Sequence, residues 1–106
     1  KQALGMMLTG RRVGSTEGKH LGFVNDVAPA GDALNVAKEW ANQILECAPL
    51  SVRASKQAAM EGMNAESLEA AMNAKYDQVS AMRRGADFVE GPLAFSEKRQ
   101  PKWSGA

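Results

Sequence analysis

The sequence predicts a mainly α chain with at most one short strand. Apolar residues recur at helical spacing over residues 33–48 and again over residues 64–84, each run backed by a polar side. Against these runs stands one brief stretch rich in β-branched and aromatic residues, Phe23-Val24-Asn25-Asp26-Val27, bounded by Gly22 and Pro29.

Residues 1–8 read as the middle or end of a helix. The chain opens on Lys1, and no capping residue precedes Ala3, Leu4, Met6, Met7 and Leu8, so polypeptide upstream is expected. Gly10 tolerates the left-handed conformation that closes a helix. Ser15 is the expected N-cap of a short helix over residues 16–20, with Glu17 at the end favourable for an anion and Lys19 and His20 at the other. Gly22 closes it, and residues 23–27 are expected to be extended. Pro29-Ala30-Gly31-Asp32 makes a turn, and Asp32 caps a helix over residues 33–48. Its stripe of Ala33, Ala37, Trp40, Ala41, Ile44 and Ala48 is expected to be buried. Pro49 breaks that helix and opens another over residues 50–61, because a proline at the first helical position has the right backbone angle. Asn64 is expected to cap a long third helix reaching residue 84, with Leu68, Met72, Tyr76, Val79 and Met82 along its apolar side.

Residues 87–103 combine apolar anchors with a basic end. Asp87 can cap a helix, and Pro92 fits the first turn of a second helical piece. Phe88, Leu93 and Phe95 are then the apolar contacts. Lys98, Arg99 and Lys102 gather at the helix C-terminus, where the dipole favours cations, and Pro101 ends the segment. A cationic site beside an aromatic ring suits a phosphate attached to a flat group: lysine supplies the point charge and the ring a stacking face. The plainer reading of the same residues is a solvated helix end whose tail is docked by Trp103.

Composition sets the bounds. The chain has 106 residues, enough for one domain that buries roughly two thirds of its unfolded surface. Its 44% hydrophobic and 24% charged residues are those of an ordinary soluble protein, with no apolar run near the ~20 residues a bilayer needs, so the cytoplasm is expected. Thirteen basic and twelve acidic residues leave a net charge of +1, which argues against nucleic acid or a membrane as principal partner. The lone Cys47 excludes an internal disulfide, and its place on an apolar helix face predicts a packed small hydrophobe rather than a nucleophile.

Few residues suggest chemistry. Gly10, Gly14 and Gly18-Lys19 imitate a phosphate-binding loop, but Val13 and His20 stand where that loop needs glycine and a hydroxyl residue. His20 has no partner at metal-ligand spacing and is expected at a helix end on the surface. Glu61, Glu66 and Glu69 flank a turn or lie on a polar face, where carboxylates stay solvated rather than acquiring the raised pKa values of catalytic acids.

The order of segments resembles the C-terminal third of the enoyl-CoA hydratase/isomerase, or crotonase, superfamily. The resemblance runs through Met7-Leu8-Thr9-Gly10, Gly22-Phe23-Val24-Asn25 with Val27 and Pro29, then Ala48-Pro49 and Lys56. It ends with Asp87, Glu90-Gly91, Ala94-Phe95, Glu97-Lys98-Arg99, Pro101 and Trp103. The set in this order, with these gaps, is specific to the superfamily and does not select a member. Arg83-Arg84-Gly85-Ala86 departs from it, standing where relatives commonly carry a polar, often acidic, linker.

The resemblance implies a C-terminal helical region of a crotonase-like fold. Residues 1–31 would be the end of a spiral core domain and a connector, and residues 32–106 a helical oligomerisation domain. It implies a parent enzyme that acts on acyl-CoA thioesters through an oxyanion-stabilised enolate, with no permanently bound cofactor and no metal. Its catalytic residues would lie upstream of the position matching Ala3. It implies a homo-oligomer, a trimer or dimer of trimers, in which the tail completes the coenzyme A site of a neighbouring subunit. Phe95 matches the position near the adenine and Lys98 the position that reaches the ribose phosphate, with Arg99 and Lys102 as secondary contacts. The rival from another class is a free-standing helical interaction module whose basic tail binds a protein or nucleic acid.

Overall fold

The helical periodicity is realised in seven helices in a computed structural model that describes residues 1–106. They are α1 (Gln2–Thr9), α2 (Ser15–Leu21), α3 (Ala33–Leu45), α4 (Pro49–Gly62), α5 (Leu68–Asn73), α6 (Asp77–Arg84) and α7 (Asp87–Ser96). The chain forms two compact units, Lys1–Trp40 and Ala41–Ala106. No helix is long and apolar enough to cross a membrane.

In the first unit, Gly10 ends α1 at φ 62° and Gly22 ends α2 at φ 88°, the left-handed positions at which both helices were expected to stop. The N-cap of α2 is Gly14, and Ser15 is already helical. No strand forms at residues 23–27, and the reason is local. The Gly18 carbonyl accepts from the backbone N–H groups of Gly22, Phe23 and Val24, which curls the chain over α2 and leaves no free ladder for a partner. Gly18 is buried under this curl, where a Cβ would lie 2.8 Å from Val24 Cγ2. Arg11 grips Glu17 with two nitrogens, and Lys19 pairs with Asp26.

Asp32 does not cap α3 with its side chain on a backbone amide; its carboxylate takes the side-chain amide of Asn35. Of the apolar stripe expected over residues 33–48, only Ala48, beyond the end of α3, is buried. Trp40 is 42% exposed and Ile44 51%, and no residue of the helix is buried. Helical spacing reports which residues share a face but not whether the same chain covers it. Cys47 is also exposed, contrary to the packed position expected of it.

In the second unit α4 packs against α5 and α6, and α6 against α7. Pro49 occupies the first turn of α4 as expected. The long third helix is instead two. Ser67, rather than Asn64, caps α5 by accepting from Ala70 N, while the Asn64 side chain donates to the Met60 carbonyl at the end of α4. Ala74 is extended, and the break is held from within the segment and from α4. Tyr76 Oη donates to the Ala71 carbonyl at 2.7 Å, and Gln57 of α4 accepts from Gln78 N at 2.8 Å. Tyr76 gives α6 no side-chain cap, so the α4 glutamine supplies the acceptor that one of the helix's free N–H groups needs. Leu68 and Met72 are exposed, whereas Tyr76, Val79 and Met82 are half-buried.

The core is thin. Its buried apolar residues are Ala48, Ala54 and Ala94, and no large side chain is fully buried. Small side chains let helices approach closely but remove little apolar area from water.

Candidate functional site

Helix α7 is a single helix with Pro92 inside it, not two pieces. Asp87 is its first residue rather than its cap, and its carboxylate turns to the C-terminal tail. Asp87 Oδ1 accepts from Ser104 N at 2.7 Å and Ser104 Oγ at 2.8 Å, and Oδ2 from Gly105 N at 2.9 Å. The residue is 5% exposed, and the Ser104 and Gly105 amides hold its carboxyl below the usual aspartate range, against burial and the nearby Glu90 charge. The Ala86 amide donates to the Ala106 carbonyl at 2.9 Å. Trp103 completes the docking: its Nε1 donates to the Glu46 carbonyl at 2.8 Å, and a Cβ built on Gly91 would stand only 3.4 Å from its ring. The docked tail of the plainer sequence reading is therefore present.

One turn along α7, Glu90 is the second anchor. Its Oε1 accepts from Arg99 Nη1 and from Lys102 N, each at 2.6 Å, and its Oε2 from Arg99 Nη2 at 2.9 Å. The Arg99 guanidinium, with the Lys102 amide next, holds this carboxyl at about 2, well below the ordinary glutamate value. Arg99 Nε also bonds Glu97 at 2.6 Å, and the two carboxylates push the arginine's own pKa up.

The end of α7 has a defined form. Lys98 N donates to the Phe95 carbonyl and Arg99 N to the Ala94 carbonyl, the paired bonds of a Schellman termination. The residue after the cap in that motif is left-handed and usually glycine; here it is Lys98, at φ 53°, the one non-glycine residue with positive φ. The left-handed well costs a residue with a Cβ about 1 kcal/mol or more.

Of the residues the sequence singled out, Phe95, Lys98 and Lys102 are exposed, Phe95 at 87%, and neither lysine has an ion-pair partner. Arg99 differs, being half-buried and engaged by two carboxylates. Phe88 and Leu93, expected as contacts, are also exposed; the residues α7 buries are Asp87 and Ala94. Sequence reasoning missed the clasp made by Asp87 and Glu90. Its signal was two carboxylates three apart on a helix, Asp87 and Glu90, followed by a short tail with free backbone donors.

A separate groove of about 450 Å³ lies on α4, lined by Arg53, Lys56, Gln57, Met60, Glu61 and Gln78. Glu61 is the one carboxylate among these, and Gln57 is already committed to Gln78 and Glu61. The groove offers cations and an apolar floor but no pair of acids.

Comparison with known proteins follows the same outline. The profile of the family described as enoyl-CoA hydratase/isomerase matches residues 1–106. A carnitinyl-CoA dehydratase of Escherichia coli O157:H7 is 35% identical over 103 residues, which cover 94% of this chain and 40% of the relative. That of Proteus mirabilis is 36% identical over the same extent. Among solved structures, an enoyl-CoA hydratase from Mycobacterium marinum superposes with a TM-score of 0.87 at 33% identity, over 98% of this chain and 41% of that one. One from Bacillus anthracis gives 0.87 at 30%, over 99% and 40%. The chain thus spans about 40% of the length of the curated relatives it matches.

Proposed function

The chain belongs to the enoyl-CoA hydratase/isomerase family, and from that premise we propose that the protein carrying it acts on acyl-CoA thioesters, this chain being the C-terminal helical region whose tail contacts coenzyme A. One observation carries the reading. The end of α7 presents Lys98, an exposed cation without an ion-pair partner, from a fixed left-handed backbone, with the exposed Phe95 ring three residues before it. A phosphate on a ribose needs the first and an adenine face the second. Lys102 is a further cation for the same phosphate, while Arg99, held by Glu90 and Glu97, contributes by shaping the turn.

In this reading the reaction runs through a thioester enolate whose developing oxyanion is stabilised by backbone N–H groups. Those groups and the carboxylates that move protons belong to polypeptide outside this chain, so residues 1–106 alone are inert. The α4 groove, with its single carboxylate, supports that assignment. Hydration of an enoyl-CoA by the purified 106-residue chain, scaling with its concentration, would contradict it. No cofactor is permanently bound; coenzyme A enters with the substrate.

The uncovered apolar faces support a homo-oligomer, a trimer or a dimer of trimers. Trp40, Ile44, Leu45, Leu68 and Met72 are exposed in a chain whose buried apolar core is alanine. Sedimentation tests this, and a well-folded monomer at high concentration would exclude it.

A titration with coenzyme A and with dephospho-coenzyme A tests the tail assignment. Roughly tenfold tighter binding of the 3′-phosphorylated form is expected, as one charge-assisted contact gives. Equal affinities would instead favour an interaction module with a basic tail.

A further inference from the structure

Resting on the reading of Lys98 given above, we propose that Glu90 is a positioning residue for the 3′-phosphate contact: by clasping Arg99 and the Lys102 amide, it fixes the strained backbone from which Lys98 projects.

Lys98 occupies a sparsely populated region of backbone space. Such a residue stays there when its surroundings over-determine it. The Schellman bonds supply part of that constraint by tying the amides of Lys98 and Arg99 back to the helix, but they do not hold the chain from Arg99 to Lys102. That stretch is fixed by Glu90. Its Oε1 alone accepts from both Arg99 Nη1 and Lys102 N, so one oxygen closes the chain between residues 99 and 102, while Oε2 takes the second prong of the guanidinium. Glu97 takes Arg99 Nε from the residue before Lys98. Lys98 is therefore bracketed by residues that share one ion-pair network, in which it takes no part itself. The bracket also decides which charges remain for a ligand. Arg99 is neutralised by two carboxylates, whereas Lys98 and Lys102 are not.

This arrangement makes a prediction opposite in sign to simple electrostatics. Glu90→Gln removes a negative charge close to the site and frees a guanidinium, and by charge alone it should tighten any phosphate ligand. Positioning predicts the reverse for the 3′-phosphate specifically.

The measurement is the ratio of the dephospho-coenzyme A to the coenzyme A dissociation constant, for the protein carrying this chain and its Glu90→Gln and Arg99→Lys variants. Arg99→Lys keeps the charge and loses the two-pronged geometry, and serves should Glu90→Gln not fold. Each protein is measured at a temperature where its melting curve shows it folded. The ratio is expected to fall from roughly tenfold to about twofold in the variants, with dephospho-coenzyme A affinity unchanged within about twofold. A ratio that persists or rises in a folded variant overturns this inference alone. A wild-type ratio of one overturns the Lys98 reading and this inference with it.

Discussion

Arg99 meets Glu90 as a two-pronged ion pair across the end of α7, at 2.6 and 2.9 Å, with the glutamate side chain only 18% exposed. Paired carboxylate and guanidinium forks are more directional than single-point contacts. Here the pair links the middle of a helix to the turn that follows it, and with Asp87 it makes the tail a built element rather than a frayed end.

The clasp should open in acid. Glu90 titrates at about 2 in the folded chain against roughly 4.3 when free, and Asp87 is lowered in the same direction. A carboxylate lowered by folding contributes stability that is complete above its free value. That contribution fades as pH falls through the folded one. Tail release between about pH 5 and about pH 2 is therefore expected, read by Trp103 fluorescence in a Trp40→Phe background. Glu90→Gln should flatten the profile; an emission profile independent of pH in that range would count against the clasp.

Gly85→Ala should cost about 1–3 kcal/mol, the usual range for forcing atoms into a filled space. A Cβ there would lie 2.6 Å from Leu50 Cδ1 and 3.0 Å from the Ala106 carbonyl oxygen. The leucine can swing away, but the carbonyl is held by the Ala86 amide. Chemical denaturation measures the loss. An unchanged midpoint would mean that Ala106 does not dock at this glycine, the residue that follows α6.

Lys98→Gly separates stability from function. Glycine enters the left-handed region without the penalty of about 1–2 kcal/mol that a Cβ carries. Against this, its freedom in the unfolded chain costs about 0.5–1 kcal/mol. The variant should melt no lower than the wild type yet lose its preference for a 3′-phosphate. Lower stability with binding intact would make Lys98 a structural residue.

Trp103→Phe should keep the ring contact over Gly91 while leaving the Glu46 carbonyl without its indole donor. A loss of about 1 kcal/mol is expected for one such bond. Faster amide exchange in the tail than in α4 would report where the loss is felt.

Much of the helical layout was legible because its signals are local. Gly10 and Gly22 stop helices wherever they can turn left-handed, and Pro49 opens one because it lacks an N–H. What was not legible depended on partners distant in sequence. The break after Asn73 is held by Gln57, and Asp87 turns from cap to clasp because Ser104 and Gly105 arrive beside it. The apolar stripe of α3 told which residues share a face, yet its exposure follows from what the rest of the chain leaves uncovered. At the candidate site, Lys98, Arg99 and Lys102 could be marked from residue order, whereas the choice of Phe95 and Lys98 for an adenine and a phosphate came from the family resemblance. The difference between Lys98 and Arg99 needed the carboxylates in place, since neighbouring cations look alike in a sequence.

The most direct test is nuclear magnetic resonance of the isotope-labelled protein carrying this chain, titrated with adenosine 3′,5′-bisphosphate. The account predicts saturable shifts at the Phe95 ring and the Lys98 side-chain resonances, with smaller ones at Lys102 and none along the α4 groove at Arg53 and Lys56. Shifts confined to that groove, or absent at Phe95 and Lys98 under saturating ligand, would contradict it.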